Sequence, residues 1–143
     1  MYLYIDTTER DSFSIALLDD NKVIKKKTVK SHRKHSEKLL KSIEQMILVC
    51  KKSLKDIKGI AVVKGPGSFT SLRIGIATAN ALAYGFGIRV LGIGESASST
   101  DRRGGGWDEI IKKLNRLANN QSNNVRVIVP EYGQEPHITE PKK

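Results

Sequence analysis

The chain predicts an α/β fold, a single lobe with the element order β-β-β-α-β-α-β followed by a short helix-strand extension. Three observations carry this. Short β-rich segments at 2–7, 12–19 and 22–29 are separated by turn-prone residues such as Asp19-Asp20-Asn21, the pattern of an antiparallel meander. Two longer segments read as helices, 36–52 with apolar residues at helical spacing and 69–86 as a long stretch of Ala, Ile, Leu and Thr after a glycine turn. Each of these leads into a short β-rich stretch, 58–64 and 89–93, so the later strands are expected to be parallel after crossovers.

In the first helix, Ser36, Leu39, Leu40, Ile43, Met46, Ile47 and Cys50 fall on one stripe, with Glu37, Lys38, Lys41, Glu44 and Lys52 opposite. The run from 65 to 75 reads Gly-Pro-Gly-Ser-Phe-Thr-Ser-Leu-Arg-Ile-Gly and joins an apolar strand to the second helix. Gly65 and Gly67 can take positive φ, Pro66 presets the turn between them, and Ser68 suits the N-cap. A glycine turn feeding a helix N-terminus suits a phosphate, but no Gly-Lys-Ser/Thr follows, and a structural turn is the favoured reading.

The second helix is apolar around its circumference and carries no charge from Ile74 onward. Such a helix needs cover on both sides. Ser71, Gly75, Ala79 and Ala83 recur every fourth residue, a small-residue row along which another helix can approach. Cover by the first helix alone is an equally good reading of the residues.

The 65–75 run, read whole, resembles the GPGSFTGLRIG signature of the TsaB (YeaZ) family, with Ser71 where the family has glycine. Tyr4-Ile5-Asp6-Thr7-Thr8 is similar to that family's opening strand. His35-Ser36-Glu37-Lys38-Leu39-Leu40 resembles the start of its first helix, and Leu91-Gly92-Ile93-Gly94-Glu95-Ser96 resembles the strand after the second. The resemblance covers residues 1–97 and implies an actin-like, ribonuclease-H-like lobe. It further implies pairing in a four-helix bundle with the catalytic subunit TsaD, and self-association when that subunit is absent. The partner-interface residues expected on this basis are Ser36, Leu39, Leu40, Ile43, Ile47, Ser71, Leu72, Gly75, Ile76, Ala79 and Ala83.

At 143 residues, 38% hydrophobic, the chain suits one small core. Cys50 is the sole cysteine, which excludes an intrachain disulfide. The N-terminus reads as a strand rather than a signal segment, and the longest uncharged run, Ile74 to Ile88, is too short to span a bilayer. A cytoplasmic protein without membrane attachment is therefore expected.

Charge is uneven. Residues 22–58 hold thirteen Lys or Arg against three acids, which accounts for the whole formal net charge of +10. Lys25, Lys26, Lys27, Lys30, Arg33 and Lys34 form a candidate tRNA contact through counterion release. A lysine-guarded edge strand explains the same residues equally well, and no aromatic side chains are interleaved for base stacking.

Catalysis finds little support. Asp6, Thr7 and Thr8 lie where actin-like ATPases meet metal and phosphate, which makes them weak nucleotide-site candidates. A closed cleft needs a second lobe, and 46 residues after position 97 are too few. Asp6 reads better as a hydrogen-bond anchor. His32 and His35, with Glu37 nearby, sit in a cationic run without partners at a recognised metal spacing, and His137 is isolated. No Ser-His-Asp grouping can be inferred. No cofactor, metal or catalytic residue is expected.

Residues 98–106 read as a flexible linker, 107–118 as a helix with apolar positions 107, 110, 111, 114, 117 and 118, and 125–129 as a strand. The 107–129 extension is followed by a proline-containing tail at 130–143 whose Pro130-Glu-Tyr and closing Pro141-Lys-Lys resemble the family's C-terminal end. The resemblance thus implies a natural reduction in which most of the usual second lobe is missing; a TsaE-like ATPase stays a candidate member of the complex, and the contacts the usual second lobe makes to it are in question. The favoured function is a non-catalytic scaffold for a TsaD-like subunit in tRNA threonylcarbamoyladenosine synthesis. The alternatives are a free-standing actin-like nucleotide-binding or hydrolysing protein and, more weakly, an RNA-binding accessory module.

Overall fold

The computed structural model describes residues 1–32, 34–94 and 105–119. The strands are β1 (Tyr2–Asp6), β2 (Ser12–Leu18), β3 (Val23–Lys30), β4 (Gly59–Val63) and β5 (Arg89–Ile93). The helices are α1 (His35–Val49), α2 (Phe69–Phe86) and α3 (Gly105–Asn119), with a 3-10 turn at Leu54–Asp56. The meander pairs antiparallel, with Tyr2 opposite Leu18 and Ile15 opposite Lys27. After the crossover, β4 returns parallel to β1, placing Ile5 opposite Val62, and β5 runs parallel to β4. The sheet order is β3-β2-β1-β4-β5, so β1 is central and β3 and β5 are edges. This is the expected β-β-β-α-β-α-β order, and it is the ribonuclease-H-like arrangement.

Side-chain alternation divides the sheet into two cores. Leu3, Ile5, Ile15, Leu17, Ile60 and Val62 face α1 and α2. Tyr2, Tyr4, Ala16, Leu18, Ala61 and Val63 face the other way, and α3 covers them with Trp107, Ile110, Ile111 and Leu114. Tyr4 meets Trp107 edge-on at 4.7 Å between ring centroids. The alanines on β2 and β4 leave room for these two large rings. The helix expected at 107–118 is therefore the third layer of the lobe, and it starts two residues earlier, at Gly105. The expected strand at 125–129, the tail at 130–143, and most of the expected linker lie outside the described residues.

Local chemistry sets the element ends. The chain leaves α1 through Cys50 and then Lys51, whose φ of 56° cannot continue a right-handed helix. Ser53 and Asp56 then cap the 3-10 turn reciprocally. Helix α2 closes on Gly87 in the left-handed region, where Ala83 and Tyr84 carbonyls accept its amide. At its other end the Ser68 hydroxyl makes no capping hydrogen bond, contrary to expectation. Ser68 is held through its backbone instead, its amide donating to the Thr8 carbonyl at 3.0 Å.

Candidate functional site

The end of β1 and the glycine turn close on each other. The Thr8 amide and hydroxyl both donate to Asp6 Oδ1, at 3.0 and 2.7 Å, and the Tyr4 hydroxyl donates to Oδ2 at 3.3 Å. Asp6 is buried, and these bonds make it an anchor for the chain's exit from the strand. Of the two turn glycines only Gly65 has positive φ, at 125°, and it precedes a cis bond to Pro66. Gly67 is needed for space, because a Cβ there would lie 2.8 Å from the Thr8 carbonyl oxygen. Gly75 packs in the same way on Thr7, whose Cγ2 would be 2.9 Å from an added Cβ. The Thr7 hydroxyl is buried there without a hydrogen-bond partner. Turn, strand end and helix therefore form a packed joint.

That joint decides which side of α2 looks outward. Ser71, Leu72, Gly75, Ile76, Ala79 and Ala83 are buried within this chain, as are Leu39, Ile43 and Ile47 of α1. Nine of the eleven residues expected at a partner interface are thus covered by the chain's own core, and only Ser36 and Leu40 are exposed. The correction has a simple cause. The sequence holds a second row at the same spacing, Arg73, Ala77, Ala81 and Gly85, and Thr7 pairs with the first row, leaving the second in solvent. Around this outward row Phe69 (42% exposed) and Tyr84 (84%) remain accessible, as does Leu40 (44%) on α1, whereas Phe86 (41%) turns toward the α1 side beside Ile47 and Leu54. Arg73 stacks over Phe69 at 5.6 Å.

The basic segment is the sheet's outer strand. Lys25, Lys26, Lys27 and Lys30 on β3 and Lys34 before α1 are all exposed, whereas Arg33 lies outside the described residues. Register sends Lys25 and Lys27 to the α1 side, opposite Leu17 and Ile15, and Lys26 to the other, where its ammonium lies 5.9 Å from the Trp107 ring. His35, read from sequence as a weak metal candidate with His32, spends both ring nitrogens. Nδ1 bonds the Ser31 hydroxyl and Nε2 the Glu9 carbonyl at 2.9 Å. Its ring packs edge-on against Phe13, a core role that links the β1–β2 loop to α1. His32 is exposed with φ of 47°. Among the described residues no group of three or more His, Cys, Asp or Glu could hold a metal, and no helix is long and apolar enough to cross a membrane.

Polar bonds fasten α3 at its outer end. Tyr2 donates to Asn115 Oδ1 at 2.6 Å, Asn115 Nδ2 donates to the Asp20 carbonyl, and Arg89 Nη1 donates to the Leu117 carbonyl at 3.0 Å. Lys58 bridges Asp20 at 2.8 Å and lies over the Tyr2 ring. Burial pushes the Tyr2 phenol above its ordinary pKa, and the hydrogen bond to Asp20 raises that of Lys58.

Fold and motif together define a class, the TsaD-type lobes of actin-like proteins. Residues 22–98 match the family model described as TsaD: tRNA N6-adenosine threonylcarbamoyltransferase. The chain is 35% identical over 96 residues to the tRNA threonylcarbamoyladenosine biosynthesis protein TsaB of Escherichia coli (strain K12), covering 64% of this chain and 38% of that protein. Identity to the TsaB protein of Bacillus subtilis (strain 168) is 30% over 112 residues, 78% of this chain and 48% of that one. The solved structure of YeaZ from Pseudomonas aeruginosa superposes with a TM-score of 0.64 at 27% identity, over 73% of this chain and 49% of that chain. The chain belongs to the TsaB (YeaZ) family. It spans less than half the length of each of these relatives.

Proposed function

We propose that this chain is a non-catalytic scaffold in tRNA threonylcarbamoyladenosine synthesis. In this reading it holds a TsaD-type subunit against the outer face of α2 and the adjoining edge of α1, and that subunit transfers the threonylcarbamoyl group to the tRNA adenosine beside the anticodon. The observation that carries the reading is the exposed row of small residues on α2, Ala77, Ala81 and Gly85, bordered by Phe69 and Tyr84. A Cβ at Gly85 would meet nothing within 4 Å, so a partner helix has room to approach. The names of the relatives support the pathway, and the engagement of Asp6 with Thr8 and Tyr4 supports an anchoring role for that carboxylate over a catalytic one.

The test is co-expression with the TsaD-type protein of the same organism, followed by size-exclusion chromatography. Co-elution is expected, and Ala81→Arg should abolish it by placing a charge in the row. Ala81 is exposed, so its replacement should shift folding stability by no more than ~0.5 kcal/mol. Co-elution that survives Ala81→Arg would move the interface off α2, and no co-elution of the unaltered chain would refute the scaffold.

A further inference from the structure

We propose that the groove between β3 and α1 docks an acidic protein segment carrying apolar anchor side chains. This surface is separate from the α2 row and does not depend on the scaffold reading. The groove is lined by Lys25 and Lys27 on one side and by Gln45, Met46, Leu48 and Val49 on the other. Its lysines are fixed by strand register, since their antiparallel partners Leu17 and Ile15 point into the core beneath α1. Helical spacing continues the cationic rim along α1, because Lys38 and Lys41 share a row with Gln45 and Val49. No acid is among the residues lining the groove; Glu44, one turn before Leu48, borders the adjoining hollow that Leu48 shares with Phe86.

The apolar part of this surface is unusual. Leu48 is 72% exposed and Val49 65%, adjacent residues in the last turn of a helix that buries Met46 and Ile47 in that same turn. A groove that joins cations to accessible apolar side chains is complementary to carboxylates flanking apolar anchors. A nucleic-acid backbone would use the lysines alone. It has no need of Leu48 and Val49, and the groove offers no aromatic ring on which a base can stack. The composition therefore favours a protein segment over RNA.

Fluorescence anisotropy on the full chain tests this with a labelled amphipathic peptide in which Leu repeats at helical spacing and Glu fills the remaining positions. Two control peptides replace Leu by Ser, or Glu by Lys, and bulk tRNA serves as the competing polyanion. Saturable binding of the Leu/Glu peptide is expected, with neither control peptide binding. The Leu48→Ser/Val49→Ser and Lys25→Glu/Lys27→Glu double variants should each weaken it by about tenfold or more. All four side chains are exposed, so both variants should keep the circular dichroism of the parent. The proposal is overturned if the Leu/Glu peptide does not bind, or if its binding is indifferent to Leu48 and Val49. It is also overturned if the Ser-substituted peptide and tRNA bind as well as the Leu/Glu peptide in a lysine-dependent way, which would make the groove a general polyanion surface.

Discussion

On one face of the sheet α2 buries Leu72, Ile76 and Ala79, and on the other α3 buries Trp107, Ile110 and Leu114. The two helices pack on opposite faces of the sheet, and they turn opposite chemistries to solvent. Beyond its buried stripe α3 presents Asp108, Glu109, Lys112, Lys113 and Arg116, charges of both signs that suit a final surface. Beyond its own stripe α2 presents Phe69, Ala77, Ala81 and Tyr84, with Arg73 as the one charge. Inward faces report the fold, and the outward faces separate a finished layer from an unfinished one. The apolar exterior of α2 is the surface on which the proposed partner contact rests.

The sharpest way to break this contrast is to remove the anchor of the finished layer. Trp107→Ala should cost ~3–5 kcal/mol, read as a lowered urea midpoint, because the ring fills the space between Tyr4 and the α3 backbone. A loss below about 1 kcal/mol would make α3 an appendage instead of a layer.

A smaller effect is expected inside the joint that orients α2. Gly75→Leu should destabilise the chain by at least ~1–3 kcal/mol, since a Cβ at Gly75 already overlaps the Thr7 side chain. The sequence alone makes this variant a pairing mutant. The structure makes it a folding mutant, and equilibrium unfolding of the isolated chain distinguishes the two. A stable Gly75→Leu chain that merely fails to associate would restore the first row as the interface.

The smallest effect lies at the outer end of α3. Tyr2 and Lys58 both have raised pKa values in the folded state. Their stabilising contribution is complete below their unfolded values of about 10 to 10.5, and it fades as pH rises from there through the folded values. Urea unfolding should therefore show stability declining above about pH 10. Tyr2→Phe should flatten part of that decline while losing the bond to Asn115, a net cost of roughly 0.5–1.5 kcal/mol at neutral pH. An unchanged alkaline slope in Tyr2→Phe would remove the phenol from this linkage.

Strand and helix positions were legible because their signals are local. The β-rich segments read at 2–7, 12–19 and 22–29 and the helices read at 36–52 and 69–86 survive in the fold with ends moved by three residues or fewer. Orientation was not legible. The rows through Gly75 and through Ala81 have the same spacing and similar side chains, and only the three-dimensional approach of Thr7 selects between them. Tyr84 was the available clue, since an aromatic carrying a hydroxyl falls at helical spacing with Arg73 and Ala77. The same limit applied to α3, whose apolar positions 107, 110, 111 and 114 could be read while the face they meet could not. His35 shows it again, for its bond to the Glu9 carbonyl spans 26 residues.

The clasp between Tyr2 and Asn115 joins positions 113 residues apart. The strand that organises the sheet thus leaves the ribosome long before the helix that seals its Trp107 side. Until α3 emerges, the growing chain carries a naked wall of Tyr2, Tyr4, Leu18 and Val63. An apolar wall of this kind favours aggregation for as long as it is uncovered, and docking of α3 removes it.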